Sequence, residues 1–156
     1  LGGYIDRLDA VAANGSPGVG NIAERIRVID YKTGRVPSIL PKDVACLFDT
    51  KELEKHTDYY IQAMLYSLIV KHDLRLNPAS DPVSPALLFI QQSGAKEYNP
   101  ILKFGKEMIE DAADYEKDFM EGLQGLVAEI FDPSRPFYPT EEKQRCKSCP
   151  YAALCK

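Results

Sequence analysis

Residues 2 to 11 read as a strand and Ile22 to Tyr31 as the returning strand, and in strands successive side chains point to opposite faces. Between them, Gly15, Ser16, Pro17, Gly18 and Gly20 make Ala12 to Asn21 a turn-rich loop, so the pair reads as an antiparallel hairpin with a long mobile tip. After Gly34 a connector is punctuated by Pro37 and Pro41. Asp49 with Glu52 then reads as a capping box. Leu53, Thr57, Tyr60, Ile61, Met64, Leu65 and Leu68 recur at three- and four-residue intervals, predicting a helix out to about His72. Asn77 to Pro85, with three prolines, reads as a loop, and the apolar run Ala86 to Gln91 as a short buried strand. Strand, helix, strand in that order predicts an α/β unit with a right-handed parallel crossover.

A second long helix is predicted from Phe104 to Phe131, with Phe104, Met108, Ala112, Tyr115, Phe119, Leu123, Leu126 and Ile130 on one stripe. Glu107, Glu110, Asp111, Asp114 and Asp118 fall on another stripe, read as a solvated face. Gly122 and Gly125 each weaken a helix interior by roughly 1 kcal/mol relative to Ala, which marks a bend or close packing there. Asp132-Pro133 ends the helix, and Pro136 and Pro139 open an extended tail.

At 156 residues and 45% hydrophobic, the chain has the size and apolar content of one ordinary domain, 1–156, with 132–156 as a cysteine-rich tail. It opens on Leu1 inside an apparent strand, as a fragment of a longer polypeptide would. No apolar run approaches the ~20 residues that span a bilayer, so a soluble, intracellular and cytoplasmic protein without a membrane partner is expected. The formal net charge of −4 argues against a nonspecific basic coat for nucleic acid. It leaves a nucleic-acid enzyme open, because a local basic strip can still meet phosphate.

Candidate chemistry begins at Asp30-Tyr31-Lys32. On a strand Asp30 and Lys32 share a face, so a carboxylate and an amine enter one pocket while Tyr31 points away. If the strand carrying Gly3-Tyr4-Ile5-Asp6-Arg7 is its neighbour, Asp6 joins them. Two carboxylates and a lysine at one point suit a hard divalent ion, Mg²⁺ or Mn²⁺, and its water. The bland alternative is a solvated ion pair at a strand end, and Arg7, on the other face of its strand, reads as structural, paired with Asp9 or a buried acid. Gln62 and Tyr66, four apart on one helical face, border a cleft or are ordinary boundary residues. Tyr31, Tyr59 and Tyr60 are either core or rim aromatics or rings that stack on bases. His56 and His72 receive no catalytic role.

Three of the four cysteines, Cys146, Cys149 and Cys155, crowd the last eleven residues, a spacing suited to metal ligation rather than to secreted disulfides. Cys46 reads as a small buried apolar residue.

Gly3-Tyr4-Ile5-Asp6-Arg7, then Ile29-Asp30-Tyr31-Lys32-Thr33-Gly34, then Gln62-x-x-x-Tyr66, then Cys146-x-x-Cys149-Pro150-Tyr151-x-x-x-Cys155, in this order, resemble the RecB-type nucleases of the PD-(D/E)XK superfamily. More narrowly they are similar to the iron-sulfur branch found in AddB-type helicase-nuclease subunits. The resemblance implies a restriction-endonuclease-like core, a central mixed sheet flanked by helices, and Mg²⁺-dependent hydrolysis of DNA, as an exonuclease working with a helicase in repair. It implies metal ligation by Asp6, Asp30 and the carbonyl of Tyr31, catalysis by Lys32, and assistance from Gln62 and Tyr66. It also implies a [4Fe-4S] cluster on Cys146, Cys149 and Cys155, with a fourth cysteine, a glutamate-bearing helix and often a histidine upstream of Gly3. The cluster is therefore expected in the full-length protein and not in this fragment. The rival readings are a noncatalytic DNA-end-binding or scaffold domain, and a zinc-binding interaction module built on the cysteine tail.

Overall fold

Three strands form the central sheet: β1 (Arg7–Ala12), β2 (Glu24–Lys32) and β3 (Val83–Phe89). β2 lies in the middle, antiparallel to β1 and parallel to β3. The structure is a computed structural model that describes residues 3–12, 24–49, 56–96, 98–136, 138, 146–147 and 149–155. The turn-rich loop, Glu52 of the expected capping box and Pro139 lie outside the described residues. Two compact units are present, Leu1–Gln124 and Gly125–Lys156.

Helix α1 (Thr57–His72) connects β2 to β3 and lies against both, with Val70 closing a buried cluster with Val28 and Val83. The fold is thus α/β with a mixed sheet, as the order of elements predicts. β3 is buried along almost its whole length, the pattern of a parallel strand covered on both faces. It starts at Val83, three residues ahead of its expected start, and takes Pro85 into the strand. A residue's N and C=O point to the same side of a strand, and the Pro85 carbonyl accepts from Leu102 N–H at 2.9 Å. The proline nitrogen therefore faces away from β2 and removes no bond from that ladder. Farther along the same edge, the Tyr98 hydroxyl accepts from Phe89 N–H (2.9 Å) and donates to the Leu87 carbonyl (2.7 Å).

α1 begins at Thr57 rather than at an Asp49 cap. Its N-cap is His56, held at φ 51° with no side-chain cap bond. The predicted helix from Phe104 is corrected more deeply. Its first third is a small antiparallel pair, β4 (Lys103–Phe104) and β5 (Glu107–Met108), followed by a 3-10 turn at Ala112–Tyr115. Helix α2 spans only Glu116–Ile130. Gly105 turns at φ 58° and donates to the Pro41 carbonyl at 2.9 Å, while buried Ile109 donates to Leu102. Phe104 is buried and Met108 exposed, so the helical spacing of those two residues is coincidental.

Asp111 is not part of a solvated face. It is half-buried and accepts from Val83 N–H (3.2 Å), Ala113 N–H (3.1 Å) and the Lys71 amine (2.7 Å). Close packing, the second expectation for Gly122, is what occurs: a Cβ there would run into the Phe48 ring, which itself packs on Phe119 at 5.7 Å. No helix among the described residues is long and apolar enough to cross a membrane.

Candidate active site

The alternation of β2 sends Asp30 and Lys32 to one face and leaves the Tyr31 ring on the other, 40% exposed. Asp30 is 6% exposed and buried. Its Oδ2 lies 2.6 Å from the Lys32 amine but is out of hydrogen-bond alignment with any donor. A buried charge pair is stabilising only when further bonds satisfy both partners. Here Lys32 finds two more, both on α1: the amine donates to Gln62 Oε1 at 3.1 Å and sits 4.2 Å from the centre of the Tyr59 ring.

Asp6 lies immediately ahead of β1 rather than inside it. The reason is visible in its contact: its side chain, Oδ2, accepts from the backbone N–H of Tyr31 at 2.8 Å, taking the place of a ladder bond. The β1/β2 register pairs Arg7 with Ile29, so its continuation by one residue sets Asp6 opposite Asp30. The neighbouring Arg7 turns to Asp9 at 2.6 Å, which also receives Arg27 at 3.3 Å, so its contacts are with acids of the hairpin. Asp9 beside it holds the Arg7 guanidinium above its ordinary pKa.

Gln62 and Tyr66 diverge in what they touch. Gln62 reaches Lys32, whereas Tyr66 packs beside the Val28, Val70 and Val83 cluster with Ile5 and Ile26. Its hydroxyl occupies the space that a Cβ at Gly3 would fill, which explains a glycine three residues before Asp6. The sequence offers Tyr59 as a core or rim aromatic or a base-stacking ring, not as a partner of Lys32. Its only sequence signal is its place three residues before Gln62, which puts both on one helical face.

The residues fit a hard cation. A carboxylate has two oxygens and about four lone-pair sites, and one Asp30 oxygen is buried with no hydrogen bond. No group of three or more His, Cys, Asp or Glu gathers among the described residues. Mg²⁺ does not need such a group, since it keeps several waters and is held by as few as one or two carboxylates together with substrate phosphate.

In the second unit Cys146 and Cys149 are free, half-buried thiols joined by a backbone bond, Cys149 N–H to the Cys146 carbonyl at 3.4 Å. Cys155 ends a 3-10 turn, Ala152–Cys155. Cys46 is half-buried, not buried, because its N–H is tied to the exposed Asp43 carboxylate at 3.0 Å. That N–H lowers the Asp43 pKa.

The family model of the PD-(D/E)XK nuclease superfamily matches residues 1–156. The chain belongs to the PD-(D/E)XK nuclease superfamily. Comparison with curated proteins and with solved structures finds no match. In this PD-(D/E)XK chain Asp30-Tyr31-Lys32 supplies a D-x-K element on the central strand, and the superfamily is one of phosphodiester-cleaving enzymes that typically use divalent metal.

Proposed function

We propose that this chain is the nuclease domain of a RecB- or AddB-type exonuclease, hydrolysing DNA phosphodiesters in recombination and repair beside a helicase domain or subunit. The observation that carries the reading is the arrival of Asp30 and Lys32 at one buried point on alternate residues of β2. Asp6 on the adjoining backbone and Gln62 on the amine complete the group.

In this reading Asp6, Asp30 and the carbonyl of Tyr31 hold Mg²⁺ or Mn²⁺, which when bound lowers the pKa of a water and offsets charge at the phosphate. The Lys32 ammonium is aimed by Gln62, which accepts one of its three protons and leaves others for the attacking water or a phosphate oxygen. Gln62 thus assists by holding the amine. Tyr66 assists indirectly, since its hydroxyl against Gly3 sets how closely the Asp6 segment approaches the sheet.

The whole chain acts as a single nuclease domain with 132–156 as its cysteine tail, in the cytoplasm. Cys146, Cys149 and Cys155 supply three thiolates of a [4Fe-4S] cluster in the full-length protein, the fourth coming from upstream. The Cys146-x-x-Cys149 spacing and the free thiols of those two residues support this.

The test is cleavage of end-labelled linear DNA by full-length protein in Mg²⁺. Lys32→Ala is expected to slow cleavage by about 10²–10³-fold, the range for removing one transition-state donor. Undiminished cleavage by that variant would reject the mechanism. Iron and sulfide analysis of anaerobically purified protein tests the cluster, and zinc in their place would reject it.

A further inference from the structure

We infer that Tyr59 is a positioning residue for Lys32, so that α1 rather than Asp30 sets where the amine points. The inference rests on the reading that Lys32 takes part in cleavage. A lysine head is a compact charge on a flexible four-carbon stem and must be held if it is to act at one place. Asp30 attracts it by charge at 2.6 Å, but without the direction that an aligned hydrogen bond gives. Its carboxylate is also the group that a divalent ion would claim, and such an ion would repel the ammonium. The two remaining contacts come from one helical face: the Gln62 oxygen at 3.1 Å and the Tyr59 ring, whose centre lies 4.2 Å from Nζ. A cation over an aromatic face is attracted by the ring quadrupole, more strongly in a desolvated place, and Lys32 is only 15% exposed.

The ring is itself held. His56 stacks on Tyr59 with centroids 4.7 Å apart and planes 14° from parallel. It does so from a left-handed backbone, φ 51°, that a residue other than glycine adopts at a cost. The strained N-cap and the stack together place the outer ring at the start of α1, and Lys32 lies over the inner one.

The experiment uses two readouts on the full-length protein. In metal-free protein the Lys32 Cε protons are expected to resonate upfield of an ordinary lysine, from the ring current. Tyr59→Phe keeps that shift, and Tyr59→Leu abolishes it. With Mg²⁺ and labelled linear DNA, Tyr59→Leu lowers kcat about tenfold with KM within about twofold, while Tyr59→Phe restores kcat. An ordinary Lys32 shift in the unaltered protein, an unchanged kcat in Tyr59→Leu, or a change in KM alone would overturn the inference. Should Tyr59→Leu not fold, the Lys32 shift of the unaltered protein decides alone. Full activity of Lys32→Ala would instead sink the reading of Lys32 as catalytic and leave the metal-free contact standing.

Discussion

Two lysine–aspartate pairs sit at opposite ends of α1, and they differ in a way that burial does not predict. Lys32 and Lys71 are equally exposed, 15% each, and their ion pairs measure 2.6 and 2.7 Å. Lys71 is closed: its three protons go to the carbonyls of Ser80 (3.1 Å) and Asp81 (3.0 Å) and to Asp111. Asp111 in turn takes two backbone N–H groups, so Lys71 has no proton to spare and Asp111 at most about one lone-pair site. Lys32 has one hydrogen bond, one ring and one misaligned carboxylate. The first pair is a staple joining α1, β3 and the segment before α2. The second retains bonding capacity for water, phosphate and metal, which is what a PD-(D/E)XK centre needs.

The largest expected effect breaks this comparison open. Lys71→Met leaves the half-buried Asp111 charge unpaired and strips two carbonyls of their donor, so urea unfolding is expected to show a loss of about 3 kcal/mol. Cleavage per folded molecule should be unchanged. Lys32→Met is expected to cost less, about 1–2 kcal/mol, because it strips only Gln62 and Asp30 of a partner. Part of that loss should return on adding Mg²⁺, since an ion at Asp30 replaces the missing cation. Equal losses in the two variants, with no recovery by Mg²⁺ in the second, would show that the Asp30 site is as closed as the Asp111 one.

The next comparison uses the acids alone. Asp111→Asn keeps shape but leaves Lys71 buried without its counter-charge, at about 3 kcal/mol. Asp30→Asn is expected to change stability by about 1 kcal/mol, because Lys32 keeps Gln62 and the Tyr59 ring. Its cost is expected in cleavage. A Mg²⁺ titration of thermal stability gives a second reading, with the response reduced in Asp30→Asn and retained in Asp111→Asn.

The open site was more legible in the sequence than the closed one, for a physical reason. Asp30 and Lys32 share a face because a strand alternates, and Gln62 lies beside Tyr66 because a helix repeats; both are local rules. The hairpin pairing that carries Asp6 toward Asp30 follows from a turn-rich loop between two segments that read as strands. Asp111 offered no such rule. Its spacing matched an acidic helix face, and only contact with Val83 and Lys71, 28 and 40 residues away, gives it another role. Phe104 and Met108 likewise matched a helix until Gly105, tied to Pro41, turned the chain between them. Pro85 read as loop because the side of the strand its nitrogen faces is a tertiary fact. Tyr59 lay in plain view as one of two adjacent tyrosines, told apart from Tyr60 only by its three-residue spacing from Gln62.

Those adjacent rings repeat the open and closed contrast on one turn of α1, and they yield the smallest effects. Tyr60 is 2% exposed, and its hydroxyl donates to the Lys103 carbonyl at 3.0 Å. Burial pushes its pKa up to about 12. Because the folded pKa exceeds the unfolded value of about 10, the unfolded chain releases this proton first on going alkaline. The stabilisation is complete below about pH 10 and lost as pH rises toward about 12, on the order of 2–3 kcal/mol in all. Tyr60→Phe should remove that component of the alkaline slope in urea unfolding while costing about 1 kcal/mol at neutral pH, for a carbonyl left without its donor. Tyr59→Phe should change the neutral stability by no more than about 0.5 kcal/mol, since what touches Lys32 is the ring face, which phenylalanine retains. An alkaline slope that persists undiminished in Tyr60→Phe, or a loss at neutral pH in Tyr59→Phe as large as in Tyr60→Phe, would overturn the contrast between the two rings.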